Sequence, residues 1–259
     1  MMVKRFHAIA TATALAVAFG SLDMAPATAA EPPPKLPARC EVPPDLVPEA
    51  VPLPHAARSV KRDHRIKIVA LGSSSTLGLG ASDAQAAWPA RLEAALAARF
   101  PGVEVRVLNH GVARQSAPQM LDRLDNDVLA EKPDLVIWES GTAEAVRGAD
   151  VDEYIDALVT GVDRMTTAGI DVILMDTQYS RTTAQLINFQ PYLAAIEQVA
   201  SMRGLPRFPR YGVMRYWVDN ERFVFAGKSG SEARKMADEV YDCLGRLIAA
   251  TIAGGLVAR

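Results

Sequence analysis

The sequence predicts a single three-layer α/β/α domain with a flavodoxin-like parallel sheet, on three observations. An apolar, β-branched run, Ile66–Leu71, meets a Gly/Ser turn (Gly72 to Gly80), and an Ala-rich amphipathic stretch follows. That order reads as buried strand, tight loop and helix. The same alternation then recurs down the chain, which implies parallel strands covered by helices on both faces. Finally, about 200 residues lie beyond the N-terminal region, enough for one domain that buries roughly 70% of its unfolded surface.

Taken in order, Asp83 to Phe100 carries Ala87, Trp88, Leu92, Leu96 and Phe100 on one helical stripe, with Pro101-Gly102 as its stop. Val103 to Leu108 is the second strand. A helix from Ala117 to Ala130 leads through Lys132-Pro133 into a third strand, Asp134 to Trp138. Asp152 to Ala168 is helical and Gly169 stops it, so Ile170 to Met175 is the fourth strand. After a loop, a helix from Pro191 to Arg203 opens on a proline suited to a first helical position. The last helix, Ser231 to Ala253, aligns Met236, Val240, Leu244, Leu247 and Ile248 on one face.

The N-terminus is read apart from the domain. Lys4 and Arg5, an apolar run from Ala8 to Phe19 too short to span a bilayer, and Ala27-Thr28-Ala29 make residues 1–30 a cleaved secretory signal. Export to the periplasm or beyond is the expectation, and no later stretch is expected to span a membrane. Residues 31–60 are a proline-rich arm, expected to be extended and to build no core. The domain proper is then 61–259. In an oxidising compartment Cys40 of the arm and Cys243 of the last helix can pair, which would tie the arm down.

Loss of residues 1–30 removes Lys4, Arg5 and Asp23, taking the formal charge from −2 to −3. A chain so balanced, with no Lys/Arg run interleaved with aromatics, argues against a nucleic-acid partner. Two cysteines and scattered histidines argue against zinc. Gly72–Thr76 is no phosphate loop, since no Gly-Lys-Ser/Thr follows, and Gly78-Leu79-Gly80 lacks the third glycine of a dinucleotide fingerprint. No cofactor is expected; the partner is a small ester, an acylated carbohydrate or a lipid.

Three loops lie at carboxyl ends of strands: Gly72-Ser73-Ser74-Ser75-Thr76, Asn109-His110-Gly111 and Gly141-Thr142-Ala143-Glu144. In an open α/β sheet such loops converge on one crevice. Over residues 65–250 their order and spacing resemble the SGNH or GDSL-like hydrolases. The resemblance implies ester hydrolysis through an acyl-serine, without metal. It assigns the nucleophile to Ser74 and an oxyanion donor to the backbone of Gly111, beside that of Ser74.

The departures are specific. Ser73 stands where the family motif has Asp, and Ala143 where it has the Asn that completes the oxyanion hole. No histidine follows His110. One alignment of the last helix sets Glu232-Ala233-Arg234-Lys235-Met236 against the family's Asp-x-x-His-Met pattern, a shifted one sets Gly227 and Gly230 there, and neither supplies the imidazole. A serine hydroxyl needs a base, so the substitutes are Lys235 with Glu232 as orienter, or His110 in the second loop. The plainer alternatives stay open. Ser73–Ser75 can simply cap a helix, Glu232 and Lys235 can be a solvated pair, and Glu139 and Glu144 can merely solvate their loop. The same fold can equally serve as a pseudo-hydrolase that binds a glycan, acyl chain or partner protein.

Overall fold

A computed structural model describes residues 2, 36–48 and 50–258; the expected signal segment, 1–30, lies outside the described residues save Met2. Five strands form one parallel sheet: β1 Arg65–Gly72, β2 Glu104–Gly111, β3 Leu135–Glu139, β4 Asp171–Met175 and β5 Arg207–Phe208, in the order β2-β1-β3-β4-β5. That is the flavodoxin-like order the alternation predicted. The helices are α1 Pro54–Asp63, α2 Ser74–Leu77, α3 Trp88–Arg99, α4 Ala117–Asp122, α5 Thr142–Arg147, α6 Val151–Thr167, α7 Arg181–Leu186, α8 Gln190–Arg203, α9 Arg210–Asp219 and α10 Gly230–Val257.

The period-two side-chain alternation of a strand splits the core in two. Ile66, Ile68 and Ala70 of β1, with Leu135 and Ile137 of β3, join Trp88, Leu92, Val213, Leu244 and Ile248 on one face. Val69, Leu71, Val136 and Trp138 point the other way, onto Met120, Leu158, Val162 and Ile196. Central strands β3 and β4 are buried throughout, which is why they read as unbroken apolar runs. Helix α10 is long and apolar enough to cross a membrane by length and composition, contrary to the sequence expectation for that stretch. With 61% of its apolar window buried inside the domain, its apolarity serves the packing against α3.

The segment expected to be an extended arm is part of the fold from Leu36 onward. Cys40, Leu53 and Ala56 belong to the core, and α1 crosses the expected boundary at residue 60. Proline at the first position of a helix sacrifices no hydrogen bond, and the run after Pro54 contains no other proline. Asp171, at the start of β4, accepts the free N–H groups of His55 and Ala56 through Oδ2, at 2.9 Å each. The carboxylate thereby satisfies the helix N-terminus. Two helices also differ from expectation. The predicted 117–130 helix ends at Asp122 and continues as a wider π-type turn over Asp125–Leu129, and the loop after β4 contains α7.

Cys40 and Cys243 form a disulfide across a sequence separation of 203 residues. Closing so long a loop restricts the unfolded chain strongly. Reduction, or Cys40→Ser with Cys243→Ser, is expected to lower unfolding free energy by about 2–5 kcal/mol in denaturant titrations. Alkylation of both cysteines in the untreated, denatured protein would contradict the bond.

Candidate functional site

The site is built where β1 ends. Gly72 closes the strand because the following turn folds back on it: a Cβ at Gly72 would lie 2.1 Å from Thr76 Oγ1. The turn is held from below by Glu139, the last residue of β3. Its Oε2 accepts the Ser73 N–H at 3.1 Å, the Ser75 hydroxyl at 3.2 Å and the Thr76 hydroxyl at 3.0 Å. Arg210, the first residue of α9, donates from Nη1 to Ser75 Oγ at 2.8 Å and lies 3.8 Å from Glu139 Oε1. Both side chains are buried. Glu139 thus anchors the turn from within and does not solvate its loop.

Ser73 and Ser75 are buried and also line the cavity described next; Ser74 is the most exposed of the three serines. It is half-buried, opens α2, and lines a cavity of about 290 Å³ together with Arg114, Glu139, Thr142, Arg147 and Gln178. Its Oγ accepts a hydrogen bond from the backbone N–H of Arg114 at 2.9 Å. Among the described residues, no imidazole, amine or carboxylate accepts a hydrogen bond from it.

The structure places the other predicted residues as follows. Gly111 does not line the cavity, and its N–H is donated to Asn109 Oδ1 at 2.9 Å. A Cβ there would meet Leu77 N at 2.1 Å, so glycine lets the end of β2 lie against α2. The backbone donor that reaches Ser74 comes three residues later, from Arg114, held in the left-handed region at φ 65°. His110 Nδ1 sits 3.6 Å from Asp127, outside the cavity lining. Glu232 and Lys235 are exposed on α10, form no ion pair among the described residues, and line neither the Ser74 cavity nor the larger one beside it. Ala143 does line the Ser74 cavity and offers no side-chain donor.

Sequence reasoning missed Arg114, Arg147 and Arg210. Arg147 Nη2 donates to the Arg114 carbonyl at 2.6 Å, clamping the loop that presents the donor. Glu144, also read as solvating, is buried and accepts the N–H groups of Ala117 and, at 3.0 Å, Gly141. Burial raises its pKa above the ordinary carboxylate range. Beside the Ser74 cavity lies one of about 590 Å³, sharing Leu79 and Gln178 with it and walled by Met214, Trp217, Phe223 and Tyr241.

A parallel sheet in this order, with a serine turn on its first strand, defines an SGNH-like hydrolase fold. The chain belongs to the Non-GDSL lipase-like family, which it matches over residues 39–258. Among solved structures it is similar to a protein assigned to the G-D-S-L lipolytic family from Desulfitobacterium hafniense DCB-2: 22% identity, TM-score 0.57, 72% of this chain and 99% of that one. A lipase/acylhydrolase from Enterococcus faecalis is 25% identical, with TM-score 0.59 over 73% and 96% of the two chains. A two-domain esterase active on acetylated mannans is 16% identical, with TM-score 0.67, and here 83% of this chain covers 57% of the other. No curated protein matches the chain.

Asp176, just beyond β4, is buried with Oδ2 on Arg207 at 2.6 Å and Oδ1 on the Tyr211 N–H at 2.7 Å. Desolvation outweighs both partners and pushes its pKa up to about 6. Because the folded value exceeds the unfolded one, its stabilising contribution is full below about pH 4 and is lost as pH rises through about 6. Melting curves from pH 4 to 7 should show wild type losing on the order of 1–3 kcal/mol relative to Asp176→Asn. A pH-independent difference would contradict this.

Proposed function

We propose that this chain uses an SGNH-like crevice to bind the acyl part of a ligand without efficient turnover. One observation carries the reading: Ser74 Oγ accepts a hydrogen bond and has no proton acceptor among the described residues. General-base assistance contributes about 10²–10⁴-fold, and one side-chain oxyanion donor, absent at Ala143, about 10²–10³-fold. Together these amount to about 10⁴–10⁷-fold of the rate. The two adjoining cavities remain as a ligand site of the size such sites have.

Action outside the cytoplasm belongs to the same proposal. The N-terminal pattern of residues 1–30 and the Cys40–Cys243 disulfide support it, since such bonds persist in oxidising compartments.

Ester hydrolysis through Ser74 is the second reading. It is favoured by the half-buried serine at the head of α2 facing a cavity, and by similarity to a lipase/acylhydrolase and to an esterase active on acetylated mannans. The two readings part on p-nitrophenyl acetate and p-nitrophenyl decanoate. Wild type and Ser74→Ala are expected to hydrolyse both at rates within about twofold of each other, because the serine lacks its base. A wild-type rate at least about 100-fold above Ser74→Ala would establish the hydrolase instead.

A further inference from the structure

The charges around Ser74 are one-sided. Arg114 and Arg147 both line its cavity, and neither forms an ion pair among the described residues. Arg147 donates only to neutral acceptors, the Arg114 carbonyl and Gln119 Oε1, and the Arg114 side chain makes no hydrogen bond among the described residues. The sole carboxylate in the lining is Glu139, already opposed by Arg210 and by three donors of the serine turn. Thr142 Oγ1 is buried at the same cavity and has no hydrogen-bond partner among the described residues. Two exposed arginines with no carboxylate partner among the described residues, and an unused hydroxyl, therefore stand around Ser74.

The neighbouring cavity has the opposite character. Its walls include Met214, Trp217, Phe223, Val240 and Tyr241; of the charged residues that also line it, Arg181 and Glu221 are of opposite sign, and Arg210 is already opposed by Glu139. Large apolar side chains stand exposed around both openings: Leu79 at 68%, Val146 at 60% and Phe225 at 43%. Exposed apolar side chains grouped at a cavity mouth mark a place where apolar matter enters.

We propose that the crevice is a receptor for a single-chain carboxylate, a free fatty acid, with its head between Arg114 and Arg147 and its chain in the 590 Å³ cavity. This rests on the reading of binding without turnover and names the ligand. A guanidinium pairs with a carboxylate through two parallel charge-assisted bonds, and a neutral ester offers it only a weak acceptor. Two arginines beside the serine therefore favour the acid over the ester. An enzyme releasing that acid would be held back by them; a binding protein would not.

Decanoate and 1-decanol share the chain and differ in the head, so titration of the full folded protein by calorimetry and Trp217 fluorescence separates the two parts. Decanoate is expected to bind at least about tenfold more tightly than 1-decanol, and acetate, lacking the chain, to bind far more weakly than either. Arg114→Gln with Arg147→Gln should bring decanoate down to the level of 1-decanol and leave 1-decanol unchanged. Should the double variant fail to fold, Arg114→Gln alone, which removes no side-chain hydrogen bond, should lower decanoate affinity and its salt dependence. Ala237→Trp, placed in the wall of the larger cavity, should weaken both ligands alike. Equal affinity for decanoate and 1-decanol, or no change on removing the arginines, would overturn the proposal. Binding of p-nitrophenyl decanoate without turnover, with none of decanoate, would overturn this ligand assignment alone. Ser74-dependent hydrolysis would overturn the reading beneath it.

Discussion

The site depends on one buried carboxylate. Glu139 Oε2 gathers three donors from the Ser73–Thr76 turn, and Arg210 reaches the same cluster from α9. Burying an ion pair costs several kcal/mol per ion, returned only when geometry and further hydrogen bonds are good. Here the carboxylate end is well served, although Glu139 Oε1 and Arg210 Nε have no hydrogen-bond partners among the described residues. The pair joins the end of β1, the end of β3 and the start of α9, three elements distant in sequence. Whatever else changes, removing either charge leaves the other buried and uncompensated, so the serine turn is held.

That constraint separates the shape of the site from its chemistry. The turn, Asn109 on the Thr76 carbonyl at 2.8 Å and the close approach of Gly111 to Leu77 are packing and hydrogen-bond facts, and they keep Ser74 at the head of α2. Proton transfer requires an additional group, and no residue lining the cavity accepts the serine proton. Ala143 lines the cavity without a side-chain donor, and Lys235 is exposed and outside it. A crevice can therefore persist as a binding site after losing its base, since the forces that form it are different ones.

Much of this was legible in the chain. The apolar run before Gly72 and its repeats give the sheet order, and three matched loops point to Ser74. What the sequence concealed was burial and backbone geometry. Glu139, Glu144 and Arg210 look like surface charges because composition carries no sign that partners across the fold will enclose them. Arg114 was missed because a left-handed residue is normally signalled by glycine, and the glycine in that loop, Gly111, serves close packing instead. The proline-rich segment hid α1, whose N-terminus is capped by Asp171, 115 residues from Ala56. Proline content alone could not reveal that cap.

The central claim is that Ser74 is not activated, and covalent trapping tests it most directly. Purified protein would be incubated with a fluorophosphonate and its intact mass followed, with Ser74→Ala alongside. The account predicts no adduct on the folded wild type beyond that on the variant. Stoichiometric modification of wild type, mapped to Ser74 and absent from Ser74→Ala, would contradict it, and a base would then have to reach the serine in solution.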